Sequence, residues 1–302
     1  MRIFAFMKHP EEKRLVFQDN AITTAQYTMT ALEKNIMYMV MAQLDKTDPP
    51  TKYYRISGKE MMERTRKKIK YDELKEATNR LLHRELVIIR DNGNYLQIRP
   101  ISSAEYDSNG MIEIGLDAKI RPYLFELKNN FTTYELNVVL SLDSKFSKRL
   151  YEMLAQFRST GLLRLSVREL KERLKLYDAK TGEEQYEKWS AFEKYVLKVA
   201  QREIALHTDL AFEYKLKKTG KRITDIEFIF NKPMPVVAMP QDETTTRLLQ
   251  RLTTDFRLRQ DQAEKIIARF SAKDINRSLY DISLKKKDIA NIGAYTAKTF
   301  GV

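Results

Sequence analysis

Eight residues in the first half of the chain, Arg55, Ile56, Ser57, Lys59, Glu60, Met61, Glu63 and Arg64, return about 110 positions later as Arg164, Leu165, Ser166, Arg168, Glu169, Leu170, Glu172 and Arg173. The correspondence extends both ways. Upstream, Tyr38, Val40, Met41, Ala42 and Gln43 recur as Tyr151, Met153, Leu154, Ala155 and Gln156; downstream, Leu74, Lys75, Ala77 and Leu81 recur as Leu197, Lys198, Ala200 and Ile204. Three blocks in one order, at a period far beyond the roughly 20 to 50 residues of solenoid repeats, imply two copies of one small domain.

Each copy carries the same succession of local signals. In the first, apolar residues at helical spacing (Leu32, Ile36, Met39, Val40) predict a helix over 29–44, ended before Pro49 and Pro50. A β-rich stretch, Tyr53 to Ile56, leads to Ser57, which with Glu60 has the spacing of a capping box. After the basic turn 65–70, a helix from Asp72 with the apolar stripe Leu74, Ala77, Thr78 and Leu81 is expected, then strands 86–90 and 95–99 around an Asp91–Asn94 turn. The second copy predicts a helix over 147–158, a strand over 163–165, capped helices from Ser166 (with Glu169) and Ser190 (with Glu193), and a hairpin over 211–215 and 223–230. Helix, strand, helix, turn, helix and hairpin is the order of a winged helix.

The fold class is therefore α+β: two tandem winged-helix domains followed by a small helical C-terminal module. The expected boundaries are 1–128, 129–232 and 233–302. An uncharged, proline-rich stretch between Pro233 and Pro240 reads as an extended linker. Short helices are expected beyond it over 246–258, 260–270 and 274–282.

A formal charge of +13 attracts polyanions, so double-stranded DNA is the leading partner. In a helix-turn-helix the second helix enters the major groove. Steps of 100° along the Ser190 helix put Phe192, Val196, Ala200 and Ile204 inward, Tyr195 at the edge, and Lys194, Lys198, Gln201 and Arg202 outward. Lys188 and the Ser190 hydroxyl fall at the helix start, where amides favour a phosphate. The hairpin lysines Lys215, Lys217, Lys218 and Lys221, with Arg222, crowd around Gly220, and a phosphate backbone would relieve their repulsion. The first copy is weaker: Lys75 and Asn79 share their outward face with Glu73, Glu76 and His83, although Arg66, Lys67, Lys68 and Lys70 offer a backbone clamp.

Other chemistries find little support. No cysteine is present and the three histidines are scattered, so no metal site, cofactor or catalytic residue is expected. Neither a Gly-x-x-x-x-Gly-Lys-Ser/Thr nor a Gly-x-Gly-x-x-Gly loop occurs. With no run near the roughly 18 apolar residues of a membrane span and no apolar N-terminal leader, a cytoplasmic protein without a membrane partner is expected. Three alternatives stay open at this point: a tandem winged-helix transcription regulator, a nicking enzyme, and a protein whose charge serves assembly.

Several of these stretches resemble the theta-type plasmid replication initiators, the Rep proteins that bind iterons. Asn20, Ala21 and Ile22, then Leu32, Glu33, Lys34 and Ile36, are similar to the family's opening pattern. Ser144, Phe146, Ser147, Arg149, Leu150, Tyr151, Glu152 and Leu154 follow its Ser-x-Tyr-Ser-x-Arg-Leu-Tyr-Glu-Leu helix, and Phe192, Lys194, Val196, Leu197, Ala200, Glu203 and Ile204 its reading helix. Glu193 and Tyr195 depart from it, standing where the family tends to be basic. Asn291, Ile292, Ala294 and Tyr295 resemble the end of several replication proteins. The resemblance implies a monomer binding origin direct repeats and recruiting the host replication initiator and replicative helicase. It also implies a homodimer, in equilibrium with that monomer, that represses the protein's own gene. Two reading helices addressing successive major grooves, about 10 to 10.5 bp apart, imply an iteron of roughly 20 bp.

Overall fold

Strand β1 (Leu15–Asp19) pairs antiparallel with β7 (Phe131–Glu135), with Leu15 opposite Glu135 and Asp19 opposite Phe131. The computed structural model describes residues 14–89, 94–107, 110–125, 131–230, 241–286 and 289–302. Two units emerge: one holds the described residues up to Glu152 together with Leu170–Thr208, the other Met153–Glu169 together with Asp209–Val302.

In the first unit, Asp19 caps α1 (Asn20–Thr24) by accepting from the Ala21 amide at 2.7 Å. Helix α2 (Ala31–Met41) begins two residues later than its apolar pattern suggests, because Thr30 and Glu33 form a complete capping box. It is buried along most of its length, as a central helix must be. After β2 (Tyr53–Ser57), the Ser57 hydroxyl accepts from the Glu60 amide at 3.2 Å and starts α3 (Gly58–Thr65). The Glu60 carboxylate serves Arg14 and Arg64 (3.0 and 2.9 Å). Helix α4 (Tyr71–His83) buries Leu74, Ala77, Thr78 and Leu81, as its periodicity predicts. It is capped at Lys70 rather than opened by Asp72, with the Glu73 carboxylate taking the Lys70 amide at 2.8 Å.

Two hairpins follow where one was expected: β3 (Leu86–Ile89) with β4 (Tyr95–Ile98), and β5 (Ile101–Tyr106) with β6 (Met111–Leu116). Only β6 pairs with β2, giving the order β2-β6-β5. In the second unit β8 (Leu162–Ser166) joins β9 (Phe212–Thr219) and β10 (Arg222–Phe230) in the order β8-β10-β9. The registers agree: Arg55, Ile56 and Ser57 face Glu113, Ile112 and Met111, and their counterparts Arg164, Leu165 and Ser166 face Glu227, Ile226 and Asp225. The first wing is therefore β5–β6. The β3–β4 hairpin, read from sequence as the wing, forms a separate two-stranded sheet, and Asp91–Gly93 of its turn lie outside the described residues.

After α5 (Pro122–Phe125) and α6 (Leu136–Ser141), α7 (Lys145–Gln156) opens the second copy and α8 (Val167–Arg173) follows β8. Ser166 accepts from the Glu169 amide at 3.0 Å, as Ser57 does from Glu60. The equivalence reaches backbone conformation: α3 ends at Arg66 with φ 54° and the turn after α8 contains Lys175 with φ 53°, both left-handed and neither a glycine. Duplication is thus visible in register, cap and turn.

The tail forms α11 (Gln241–Thr254), α12 (Gln260–Arg269), α13 (Ala272–Leu284) and α14 (Ile292–Phe300). The three expected helices are present, and α14 is added by Asn291, whose side chain accepts from the Ala294 amide at 3.0 Å. Leu252, Ala263, Ile266, Ile275 and Leu279 form a closed apolar core. Tyr280 projects from α13 onto the edge strand β8, where its hydroxyl takes the Arg164 amide (2.7 Å) and donates to the Arg164 carbonyl (3.1 Å). Arg164 itself bridges Glu227 (2.7 Å) and Asp281 (2.6 Å). The backbone donor and acceptor of Arg164 on the β8 edge are thereby satisfied. The proline-rich linker lies outside the described residues.

At the centre of the first unit the fully buried Glu152 carboxylate of α7 is met by Lys34 Nζ at 2.5 Å, Arg149 Nη1 at 2.7 Å and Tyr38 hydroxyl at 2.8 Å, with Tyr27 at 3.2 Å. Arg149 also donates to the Thr23 and Ala25 carbonyls (3.2 and 2.9 Å). Burial alone would raise the Glu152 pKa; Lys34 and Arg149 overcome it and hold the group at about 2. Lys148, also fully buried, donates to the Val139 carbonyl at 2.5 Å, and burial with Lys34 nearby pulls its pKa down to about 7.

Glu152→Gln leaves two buried cations uncompensated and is expected to cost about 3–5 kcal/mol in urea unfolding. Glu152 contributes stability present above its unfolded pKa of about 4.3 and lost as pH falls towards about 2. Lys148 works in the same direction in a higher window: between about 7 and the ordinary lysine value of about 10.4 the unfolded chain holds the extra proton, so its contribution also makes stability rise with pH. Lys148→Met should flatten that rise, measured as urea midpoints from neutral pH to about 9; an unchanged profile would contradict the assignment.

Candidate nucleic-acid interface

The reading helix of the second copy is built in three parts: α9 (Trp189–Phe192), a π-turn (Glu193–Leu197) and α10 (Lys198–His207). In the π-turn the Lys198 amide bonds the Glu193 carbonyl five residues back, which inserts an extra residue into the ladder. Phe192, Val196, Ala200 and Ile204 are buried as expected, and Leu197 joins them. Lys194, Lys198 and Arg202 are exposed and Gln201 is half-buried, Lys198 and Gln201 being linked at 3.3 Å. Tyr195, expected at the edge, is 51% exposed. A basic face with an aromatic in it results.

The start of this helix differs from its expected form. It begins at Trp189 with Lys188 as cap, and no side chain caps it. Ser190 is an exposed second residue, and Glu193 accepts the Trp189 indole N–H at 3.1 Å. The indole has only a donor to place, and Glu193 lies one turn away, which removes the carboxylate from a Ser190 box. The Ser190 hydroxyl is therefore not the helix cap. Lys188 is exposed, its carbonyl accepting from the Ala191 and Phe192 amides.

The second wing is longer and tighter than the sequence suggests. Strands β9 and β10 run to Thr219 and from Arg222, leaving a two-residue turn of Gly220 and Lys221 in which Gly220 has φ 60°. Lys215, Lys217, Lys218, Lys221 and Arg222 are all exposed. Lys215 stands opposite Glu227 and Lys217 opposite Asp225, whereas Lys218 faces Ile223, so uncompensated charge concentrates at the tip.

On the first copy, Lys75 and Asn79 are exposed on α4 beside Glu73 and Glu76. Arg66, Lys67, Lys68 and Lys70 are exposed in the turn; Lys67 pairs with Asp143 at 2.5 Å and Lys70 caps α4. The buried Glu33 carboxylate holds α4 from α2 through Arg80 (2.6 Å) and Arg84 (2.8 Å). Burial alone would raise its pKa, but the Arg84 and Arg80 hydrogen bonds outweigh burial and hold it below the usual carboxylate range. The first wing is acidic at its strands, with Glu105 opposite Glu113 and Asp107 bound to Arg55 at 2.8 Å. Sequence reasoning missed this wing, the Glu33 anchor and the exposure of Tyr195. Among the described residues no cluster of metal-ligating side chains occurs, and no helix is long and apolar enough to cross a membrane.

Residues 15–155 match the family described as "Initiator Replication protein, WH1", and residues 166–230 match "Initiator Rep protein, WH2". The chain belongs to this initiator family. Its two winged helices are those of the family, in the same order. The chain is 27% identical over 243 residues to the PI protein of Escherichia coli, covering 69% of this chain and 79% of that one. It is 29% identical over 147 residues to a replication initiation protein of Escherichia coli, 46% of each chain. Among solved structures it is similar to the Pi initiator protein in complex with iteron DNA, with 25% identity, a TM-score of 0.63, and coverage of 74% of this chain and 100% of that chain.

The caps give a direct test of the observed helix starts. Ser57→Ala and Ser166→Ala each remove a capping acceptor and should cost about 1 kcal/mol. Ser190→Ala should stay within about 0.5 kcal/mol of the parent in the same urea titrations; a loss equal to the other two would restore Ser190 as a cap.

Proposed function

We infer that this chain initiates plasmid replication by binding direct repeats of an origin, with the second winged helix supplying most of the base contact. What carries the reading is the similarity to an initiator solved on iteron DNA, together with an exposed basic face on the corresponding reading helix. Lys194, Lys198, Gln201 and Arg202 are assigned to base edges and nearby phosphates, Lys188 and Ser190 to phosphate at the helix start, and Lys215, Lys217, Lys218, Lys221 and Arg222 to the backbone. Lys75 and Asn79 on α4, with Arg66, Lys67, Lys68 and Lys70, make the weaker contact, since neighbouring carboxylates repel phosphate. Family membership favours initiation over a regulator that only represses.

The reading extends to partners through the family resemblance. The repeat-bound monomer presents itself to the host replication initiator and the replicative helicase. A homodimer in equilibrium with it acts at the protein's own gene. The role is carried out in the cytoplasm and involves no catalytic step of the chain's own. The three domains are assigned to 1–128, 129–232 and 233–302.

Replacing Lys217, Lys218, Lys221 and Arg222 together by Gln should weaken binding to origin repeats and to random duplex alike. The slope of log K against log salt should flatten by about 3 to 4, near 0.9 per lost phosphate contact. Gln201→Ala should instead alter base preference at constant slope. Anisotropy titrations at several salt concentrations decide, and an unchanged slope in the fourfold variant would sink the wing's role.

A further inference from the structure

The reading helix carries a large apolar side chain that the basic-face account does not use. Tyr195 sits in the π-turn between Lys194 and the buried Val196, about half of it open to solvent. It is not a loose surface ring. The Tyr186 ring lies 6.1 Å from it at an interplanar angle of 34°, and the Phe146 ring of α7 in turn meets Tyr186 at 6.2 Å, edge on. Three rings thus run from the side of α7 to the exposed face of the reading helix.

Two departures from ordinary backbone geometry hold this ladder. Tyr186 adopts φ 52°, a left-handed conformation that a bulky residue rarely takes and that surrounding structure must enforce. The Tyr186 carbonyl accepts from the buried ammonium of Lys171 at 2.8 Å, which fixes the strained residue in place. The π-turn is the second departure, and such turns recur at functional sites. Lys194 Nζ stands 5.1 Å from the Tyr195 ring centroid, so a cation and a fixed ring occupy the same patch.

We propose that Tyr195 is a specificity-determining residue that contacts the C5-methyl group of a thymine in the major groove, with Tyr186 as its positioning residue. The proposal rests on the reading of this helix as the one that enters the groove. An apolar ring fixed before binding loses little rotamer freedom on contact, and the thymine methyl is the apolar feature that the major groove offers. Lys194 beside the ring supplies a charge for a base acceptor or a phosphate, so the pair combines one apolar and one cationic contact.

The test starts from a duplex selected by the full-length wild-type protein from a random-sequence library. Each thymine of the selected site is replaced singly by uracil, which removes only the methyl group. Wild type should lose about fourfold in affinity at one thymine per site, the loss of one buried carbon. Tyr195→Ala should bind the parent site about tenfold more weakly, bind random duplex as wild type does, and no longer respond to that uracil. Tyr195→Phe should keep the response, and Tyr186→Ala should reduce it. If a sequence is selected but no uracil position separates wild type from Tyr195→Ala, the Tyr195 assignment is overturned and the initiator reading stands. If wild type selects no sequence, the initiator reading fails first and takes this inference with it.

Discussion

One buried carboxylate ties α7 to the helices of the first copy. Glu152 stays ionised in the interior because Lys34 and Arg149 hold it there, and neither cation has solvent to fall back on. Such a group gives less net stability than an apolar core of the same size, but it tolerates few alternative arrangements. Lys34 and Tyr38 belong to α2, Tyr27 to the segment before it, and Arg149 and Glu152 to α7. The first helix of the second copy is therefore fixed by residues 27–38 of the first. From there the constraint passes outward, because the Glu203 carboxylate of the reading helix accepts from the Asp143 and Ser144 amides just before α7, both at 3.0 Å. Phe146 on α7 carries it to Tyr186 and Tyr195.

The two copies keep one framework and differ in what it displays. Arg55 facing Glu113 and Arg164 facing Glu227 occupy the same place in their sheets, and Arg66 and Lys175 the same left-handed turn position. Charge at the wings has moved in opposite directions: Glu105, Asp107 and Glu113 mark the first, while Lys218, Lys221 and Arg222 gather at the tip of the second. Coulomb attraction to phosphate then favours the second wing, whatever the similarity of the backbones. The tail adds a different device, a tyrosine hydroxyl that occupies both hydrogen-bonding groups of one residue on the β8 edge.

Duplication, the helix-turn-helix order and the inward stripe of the reading helix were legible in the sequence because each rests on local spacing. The Ser57 and Ser166 caps were legible for the same reason. The first wing was not: the Asp91–Asn94 turn gives a strong hairpin signal, but membership of a sheet is decided by pairing with β2, which lies some 55 residues away from β6. Glu33, Lys34, Arg149 and Glu152 look like the solvent side of amphipathic helices, and only tertiary packing reveals that Lys34 and Arg149 face Glu152 while Glu33 meets Arg80 and Arg84. Ser190 had the right spacing for a cap and lost it to Trp189, whose indole competes for Glu193. The π-turn has no sequence signal, so Tyr195 was placed by uniform 100° steps at an edge it does not occupy.

The central claim is that both winged helices serve to recognise repeated duplex sequence. Hydroxyl-radical protection of the DNA flanking the gene, with purified full-length protein, tests it most directly. The account predicts protection of direct repeats, with two contact patches per repeat separated by about one helical turn on one face of the duplex. Protection spread evenly over the DNA without regard to sequence, or confined to a single inverted repeat, would contradict it.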